Sequence, residues 1–410
     1  MKGFNSHILP RGIIGFTLLG FLLLISCKSE NAIEGSPEVI DINDYTKTDS
    51  LLSIRSLLED VSYIQLKGAD TFFLSNTKKI LEIDNKLIIH DKNKEVLVAY
   101  DLEGNFLGYV GAKGVGPEEY RKVNDFDIHP QRNSIIIFSR GDLGFLEFDH
   151  NLNFVQKVRL DIWAMQMSIL ESGNLAFYVG FTGGSNNIVI FDIEGNKIEE
   201  RMPFPNDQEL FPIDFTGYIK GDYYTYSLSS IIHKIQEGKE NDSDIYSISF
   251  PSMRREKDKF NFQSLLTAKN DQAGIQHLYS FTLGGENSEE VLFYYGYRIS
   301  QATRGATLGV KNKSGQVFSH NNLKHGSQSN SDEFTKLFFL DFYSFPSYSS
   351  ISNYYYVVCT QEGLDYLHHK EKDTFLEGRK NIDIELYDVL KDIKETDNPV
   401  VIKFKLKSKI

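Results

Sequence analysis

The stretch that decides the fold is residues 97–111, "LVAYDLEGNFLGYVG". It reads as a hydrophobic strand that ends in Asp101, a turn rich in glycine and asparagine, and a second strand. The same pattern recurs as "GFLEFDHNLNFVQKV" at 144–158 and as "IVIFDIEGNKIEERM" at 188–202. The three copies lie roughly 45 residues apart, and this spacing indicates a repeated structural unit.

Another strand pair precedes each copy of this pattern. These pairs read "KKILEIDNKLIIHD" at 78–91, "NDFDIHPQRNSIIIFS" at 124–139 and "MSILESGNLAFYVG" at 167–180. Each contains a polar turn between two hydrophobic runs, which is the signal of a β-hairpin. A unit therefore holds four short strands, the content of one β-propeller blade. Such a sheet cannot bury both faces alone, whereas a ring of sheets packs face against face.

The repeat continues with less regular spacing between residues 205 and 350. Later copies are seen at 217–230 with 244–250, at 290–301 with 305–318, and at 338–344 with 353–360. The 22 Tyr and 30 Phe residues also favour strands. The sequence thus predicts an all-β fold, a single six-bladed β-propeller of four-stranded antiparallel blades. One short C-terminal helix is expected at 382–395, where apolar residues have helical spacing.

Two strand-like segments are left over at the ends of the repeat array. "VSYIQLKG" at 61–68 precedes the first full unit, and "NPVVIKFKLK" at 398–407 follows the helix. A ring must be closed by joining its first and last blades. We therefore expect these two segments to complete the last blade together.

The N-terminus has the features of an export signal. Lys2 and Arg11 form a positively charged region before an apolar run that is shorter than the roughly 20 residues needed to span a bilayer. The run ends at "LISC", residues 24–27, which resembles the bacterial lipobox. We predict a lipoprotein signal peptide at 1–26, a lipidated Cys27 with a tether at 27–57, and the propeller at 58–410. The alternative is an uncleaved anchor followed by a chance cysteine.

Charge and cysteine content narrow the class of protein further. The formal net charge is −12 and no basic stretch is present, which argues against nucleic acid as a partner. Cys27 and Cys359 are the only cysteines, so lipidation of Cys27 would leave no intramolecular disulfide. Cys359 follows the apolar run "YYYVV" and is predicted to be a buried, unreactive side chain.

The chain resembles a family of secreted bacterial lipoproteins with NHL-like, six-bladed β-propellers. The resemblance is carried by the two terminal strands, by "YDLEGNFLGYVG" at 100–111, and by "GVGPEEY" at 114–120 with "VNDFDI" at 123–128. It covers nearly the whole mature chain and implies an exported lipoprotein, without a reaction or a catalytic set. Lys28 follows Cys27, and by analogy with lipoprotein sorting this favours the outer membrane, on its periplasmic or cell-surface face.

The loop "GVGPEEY" at 114–120 is the first candidate for ligand contact. It lacks the GK[ST] ending of a P-loop and leads into a strand rather than a helix, so a P-loop and a dinucleotide-binding fingerprint are both excluded. Gly114 and Gly116 are expected to permit positive φ where the chain crosses between blades. Such crossings lie beside the central funnel, and Glu119, Tyr120 and Arg121 are therefore predicted to line a pocket mouth.

Three further residues are candidates for binding. Asp125 alternates with Asp127 and His129 along one strand, but the three span too great a length to meet at one ion. A calcium ion in the channel would need ligands from several blades, for example Asp125 with Asp214. Trp163, the only tryptophan, is a candidate stacking platform for a sugar or peptide, or else a wedge between blades.

These features predict a binding or interaction module at the cell envelope. Its partners would be the membrane, through the lipid on Cys27, and a glycan, peptide or envelope protein held at the funnel rim. No Ser-His-Asp order, HExxH or CxxC motif is present, and "RGD" at 140–142 is interpreted as a turn. No cofactor is expected under this interpretation. The alternatives are a hydrolase or lyase that uses a divalent ion such as Ca²⁺ in the channel, and a scaffold component of an envelope complex.

Overall fold

The computed structural model describes residues 36–41, 54–179, 186–203, 218–225, 231–249, 275–285, 287–298, 304–324, 338, 346–359, 383–394 and 396–409. These residues build six sheets whose four repeat strands pair antiparallel, and the sheets form a six-bladed β-propeller. The predicted fold class is confirmed. Two strands precede the first complete blade, β1 (Glu38–Asp41) and β2 (Leu58–Gln65), and a 3-10 helix at Ile54–Leu57 leads into β2.

The first three blades are meanders of four consecutive strands. Blade 1 contains β3 (Thr77–Ile83), β4 (Lys86–Asp91), β5 (Val96–Asp101) and β6 (Phe106–Tyr109). A small parallel pair follows, β7 (Ala112–Lys113) and β8 (Glu119–Tyr120). Blade 2 contains β9 (Asp125–His129), β10 (Ser134–Ser139), β11 (Gly144–Asp149) and β12 (Phe154–Arg159). Blade 3 contains β13 (Gln166–Ile169), β14 (Leu175–Tyr178), β15 (Asn186–Phe191) and β16 (Lys197–Pro203).

The remaining blades follow the same plan. Blade 4 contains β17 (Tyr218–Lys220), β18 (Tyr223–Thr225), β19 (Ile231–Lys234) and β20 (Ser243–Ser249). Blade 5 contains β21 (Ile275–Gly284), β22 (Glu290–Arg298), β23 (Arg304–Lys311) and β24 (Val317–Lys324). Blade 6 contains β25 (Ser347–Ser349), β26 (Tyr354–Val358) and β27 (Val400–Leu406), and the helix α1 (Ile384–Leu390) precedes β27.

The two ends of the chain close the ring, as the sequence predicts. β2 pairs antiparallel with β27, with Tyr63 opposite Ile402, and it forms the outermost strand of blade 6. The side chain of Asn398, just before β27, is fully buried. Its Oδ1 accepts a hydrogen bond of 2.6 Å from the Leu74 amide, and its Nδ2 donates to the Phe72 carbonyl at 2.8 Å. Asn398 thus ties the closing strand to the segment that enters blade 1.

β1 adds a fifth strand to the outer edge of blade 4. It runs parallel to β20, and Ile40 lies opposite Ile248. The Ile40 side chain is 1% exposed and packs in a cluster with Phe281 of blade 5. Part of the segment predicted to be a tether therefore lies against the propeller, because this isoleucine buries its side chain there.

The repeated Asp of the sequence pattern has one structural role. It sits at the end of the third strand of a blade and stabilises the turn into the fourth, since its side-chain oxygen accepts a hydrogen bond from the amide four residues later. This bond is 2.7 Å for Asp101–Asn105, 2.8 Å for Asp149–Asn153 and 2.7 Å for Asp192–Asn196. In blade 5 an asparagine takes the place of the Asp, and Asn312 accepts the same bond from the Gln316 amide at 2.9 Å.

The core lies between the faces of neighbouring blades. Phe138 of blade 2 and Phe177 of blade 3, for example, pack edge to face at 5.1 Å and are both fully buried. Full burial of such a side chain stabilises the fold by about 2 kcal/mol. Cys359 is buried as predicted, and burial raises the pKa of its thiol. Within the described segments, no helix has the length and apolar character needed to cross a bilayer.

Candidate ligand-binding site

The first strand of every blade lies at the axis of the propeller. These inner strands are β3, β9, β13, β17, β21 and β25, and each contacts the inner strands on either side of it. They enclose an axial channel, and their side chains decide what the channel can bind. The channel has one end at the start of the inner strands, which is called here the channel mouth.

Asp125 lies at the beginning of β9 and connects three blades. Its Oδ1 is 3.3 Å from the ammonium of Lys79 on blade 1, and its Oδ2 accepts a hydrogen bond of 3.1 Å from the Met167 amide on blade 3. Burial would raise the pKa of Asp125, but the charges of Lys79 and Lys78 outweigh it and lower that pKa to about 2. Asp125 is therefore an anion with both oxygens engaged.

Other side chains of the inner strands of blades 2 and 3 also form hydrogen bonds to the following blade. Asp127 accepts a hydrogen bond of 3.1 Å from the Ile169 amide of blade 3. Gln166 of blade 3 accepts from the Ile219 amide of blade 4 at 3.2 Å, and Ser168 accepts from the Gly221 amide. In blades 2 and 3, side-chain oxygens thus link the inner strand to the backbone of the next blade.

Blade 4 carries different residues at the corresponding positions. Tyr218 and Lys220 of β17 stand where blade 3 has Gln166 and Ser168, as the hydrogen bonds to Ile219 and Gly221 show. Burial lowers the pKa of Lys220 to about 8, although Asp127 opposes this shift. Among the residues that the structure describes, none forms a hydrogen bond or an ion pair with the Lys220 ammonium.

Two residues of blades 2 and 3 meet at the channel mouth. Arg140 follows β10, and its amide donates a hydrogen bond of 2.7 Å to Oδ1 of Asn124, the residue before β9. Its guanidinium lies 4.9 Å from the ring of Trp163, which belongs to the connection from β12 to β13. Trp163 is 50% exposed, so it is not a wedge buried between blades. An exposed indole held by a cation is a surface on which a planar or sugar ring can stack.

The loop at 114–120 is organised around Glu119. The Glu119 carboxylate folds back and accepts a hydrogen bond of 2.8 Å from the Gly116 amide. Gly114 and Gly116 do not adopt positive φ, contrary to the expectation from sequence. A Cβ at Gly114 would lie 1.9 Å from Glu119 Oε2, so a side chain there would require the Glu119 carboxylate to move. Glu119 is thus used to shape the loop.

The other two residues predicted to line the pocket mouth have different positions. Tyr120 does not line it, because its side chain is fully buried in the core between blades 1 and 2. Arg121 is largely exposed, and its guanidinium lies 3.8 Å from Asp142. Cys27 and Asp214 are outside the described residues.

The described residues do not provide a set of ligands for a calcium ion in the channel. No three His, Cys, Asp or Glu side chains in that part of the chain come close enough to hold a metal ion. Asp125 is engaged with an ammonium group and with backbone amides, and the companion suggested for it, Asp214, lies outside the described residues.

The sequence interpretation missed Lys79 and Lys220 and took Arg140 only as a turn residue. A signal for the two lysines exists in the aligned repeats. The inner strands of blades 2 and 3 start with Asp, Gln or Ser at positions that accept hydrogen bonds, whereas blades 1 and 4 carry lysine there. The sequence does not show which of these charges lie close together, since that depends on how the blades are arranged in the ring.

Comparison with known proteins identifies the family. Residues 37–405 match the family model described as "Domain of unknown function (DUF4934)", so the chain belongs to that family. No curated protein matches the chain.

The solved structures that are similar to this chain include two from Bacteroides species. One is a protein of Bacteroides fragilis NCTC 9343 named as a predicted exported protein, with a TM-score of 0.63 and 17% identity over 91% of this chain and 100% of that one. This likeness supports the fold. The other is a member of the duf4221 family from Bacteroides vulgatus ATCC 8482, with a TM-score of 0.49 and 11% identity over 85% of this chain and 97% of that one.

Proposed function

We propose that this protein is an exported lipoprotein whose propeller binds a ligand at the channel mouth. The ligand class is a glycan, a peptide or an envelope protein, and the membrane is reached through a lipid on Cys27. The observation that carries the proposal is the half-exposed Trp163, held against Arg140 beside the axial channel. Half of the Trp163 side chain is exposed to water in the free protein. A ligand stacked on the indole would cover that apolar surface, which favours binding.

The charge around Trp163 supports a polar ligand. Arg140 loses part of its hydration, and burial lowers the pKa of its guanidinium. Its Nε is buried and has no hydrogen-bond partner among the described residues. A ligand oxygen could instead pair with the charge of the half-buried Arg140 guanidinium while a ring covers Trp163, which is the combination that sugars and peptides offer.

The test is a binding screen on the mature chain, residues 28–410. Glycan and peptide arrays would be followed by calorimetry with any hit, using Trp163→Ala and the control Ile198→Ala, another half-exposed apolar residue. We expect Trp163→Ala to weaken binding by about fivefold or more, since stacking contributes on the order of 1 kcal/mol or more. If no array hit is found and crosslinking in cells yields no partner, the proposal fails.

The cellular location of the protein is a separate part of the proposal. An N-terminal signal with a lipobox, together with structural similarity to a protein predicted to be exported, supports export to the envelope. We propose the outer membrane, on its periplasmic or surface face. Wild type should partition into detergent after phase separation, and Cys27→Ser should remain in the aqueous phase. Equal partitioning of the two would contradict lipidation at Cys27. The relationship to NHL-like propellers, which rests on the sequence resemblance, stays a prediction.

A further inference from the structure

The strand β1 fastens the N-terminal part of the chain to the side of the propeller. It pairs parallel with β20 over four residues, from Glu38 opposite Tyr246 to Asp41 opposite Ser249. The four repeat strands of blade 4 form a complete blade without it. β1 is therefore an addition to the repeat, and its contacts decide where the N-terminal segment meets the propeller.

β1 also contacts blade 5, so two blades hold it in place. The Ile40 side chain is 1% exposed and packs in the cluster that contains Phe281 and Phe293 of blade 5. Val39, one position earlier, is 62% exposed, as expected for alternating side chains on a strand. Removal of the Ile40 side chain from water favours the docked position of the strand.

An ion pair reinforces the contact with blade 5. Glu38 Oε1 lies 3.3 Å from the ammonium of Lys311, at the end of β23. Lys311 is buried, donates a hydrogen bond of 2.9 Å to the Glu289 carbonyl and lies 5.1 Å from the ring centroid of Tyr246. Among the carboxylates that the structure describes, Glu38 alone pairs with Lys311. Release of β1 would leave a buried ammonium without that carboxylate, which is unfavourable.

This docking limits how far the propeller can lie from the lipid proposed on Cys27. Glu38 follows Cys27 by 11 residues. A chain of that length spans at most about 40 Å when it is fully extended. Without the docking of β1, the next fixed point would be Leu58 at the start of β2, 31 residues after Cys27. That length could span roughly 110 Å.

The propeller is too large for the shorter segment to reach around it. A compact domain of about 350 residues has a radius of gyration near 20 Å, equivalent to a sphere of about 26 Å radius. The path over such a sphere to its opposite side is about 80 Å, twice the extended length of the segment. Blade 1 lies opposite blade 4 in a ring of six. The edge of blade 1 therefore cannot be the part of the propeller nearest the lipid.

We infer that β1 sets which side of the propeller faces the membrane. The outer edges of blades 4 and 5 face the bilayer surface, and blade 1 faces away from it. The inference rests on the part of the proposed function that places a lipid on Cys27. In this orientation the channel axis runs along the plane of the membrane, and the channel mouth with Trp163 stays open to a ligand.

The test measures energy transfer between the propeller and the membrane, with residues 27–410. Cys27 is coupled to a maleimide phospholipid in vesicles, because Cys359 is buried and does not compete for the reagent. A fluorescent non-canonical amino acid replaces Glu240 of blade 4 or Glu103 of blade 1. Both residues are exposed and lie in the turn between the third and fourth strands of their blades.

Transfer to an acceptor dye in the outer leaflet should be stronger from position 240 than from position 103. We expect a difference of at least about twofold, since the short segment keeps the side that carries β1 within about 40 Å of the lipid. Equal transfer from the two positions, or stronger transfer from position 103, would overturn the inference.

Substitutions in β1 supply the variant and its control. Ile40→Asp places a carboxylate in the apolar cluster and should release β1, so the longer segment ending at β2 then holds the propeller. The difference between the two probe positions should then disappear or reverse, because β2 belongs to blade 6, next to blade 1. Val39→Asp, on the exposed side of the same strand, should keep the wild-type difference. A difference that persists in Ile40→Asp would contradict control of orientation by β1.

The outcomes separate this inference from the proposed function. The synthetic lipid tests the orientation by itself, whereas detergent partitioning of Cys27→Ser tests whether cells attach a lipid there. Equal partitioning of Cys27→Ser and wild type would overturn the membrane as the natural partner of this side of the propeller. Failure of the glycan and peptide screen would remove the ligand site and leave the orientation supported by a twofold difference in transfer.

Discussion

Asp125 of the second blade lies 3.3 Å from the ammonium of Lys79 on the first blade. The same carboxylate accepts a hydrogen bond from the Met167 amide of the third blade. One side chain therefore joins three consecutive blades at the axis. Asp125 is buried and Lys79 is largely so, and removal of one member of such a pair leaves the other charge without its partner.

Replacing Asp125 by alanine should destabilise the protein strongly. The substitution leaves the buried Lys79 ammonium without its carboxylate and the Met167 amide without an acceptor. We expect the free energy of unfolding to fall by about 3 kcal/mol or more, measured by chemical denaturation. The control is Glu103→Ala, which removes an exposed carboxylate in the turn after β5 and should change stability by less than about 0.5 kcal/mol. Equal stability of the two variants would contradict the role of Asp125.

Asn398 is expected to hold the ring closed. Asn398→Ala removes one acceptor and two donors from a buried site and leaves the Leu74 amide unpaired. We predict a loss of about 2 to 3 kcal/mol in unfolding free energy, with increased amide exchange in β27 and in the segment that enters blade 1. Asn151→Ala, in an exposed turn, is the matched control. Unchanged exchange near Leu74 would show that closure does not depend on this side chain.

The pH dependence of stability should contain a contribution from His90. Burial lowers the pKa of His90 to about 3, aided by the charges of Lys78 and Lys79 and opposed by Asp125. The unfolded chain takes up a proton near pH 6.5 and the folded one does not, so stability falls as the pH drops below 6.5. The slope approaches about 1.4 kcal/mol per pH unit.

His90→Leu removes that contribution. We expect the stability of the variant relative to wild type to rise steadily between pH 6.5 and pH 4, followed by thermal or urea unfolding at each pH. The same substitution at His150, in a turn near the surface, serves as the control. A difference between His90→Leu and wild type that stays constant with pH would rule out a neutral His90 as a source of acid sensitivity.

The fifth strand on blade 4 should detach when its anchor is made polar. Ile40→Asp places a carboxylate in the cluster that contains Ile248 and Phe281, where a charge has no partner. We predict rapid amide exchange over 38–41 and along β20, while blades 1 to 3 keep their protection. Val39→Asp, at a residue 62% exposed on the same strand, should leave the exchange of β20 as in wild type. Protection of 38–41 in Ile40→Asp would refute anchoring by Ile40.

Local sequence determined the blades. An apolar strand ending in Asp101, Asp149 or Asp192 and followed by a Gly or Asn turn specifies a hairpin through contacts within five residues. Turn residues at a fixed spacing after a strand can be recognised in a single sequence. The number of repeats and the two unpaired terminal strands then led to six blades closed by β2 and β27. The parallel strand β1 was not predicted, because a four-residue run with one buried isoleucine carries little periodicity.

Tertiary structure alone decided the site. The sequence predicts that Tyr120 lines the pocket mouth, but its side chain is buried. The strand β8, which contains Tyr120, pairs with β7 and packs this side chain into the core between blades 1 and 2. Lys79, Asp125 and Lys220 come from three blades, and their charges interact only because the ring brings their strands to one axis. The sequence by itself determined what each blade is, through contacts between near neighbours. Only ring closure decided which charges face one another, since these contacts join residues that are far apart in the chain.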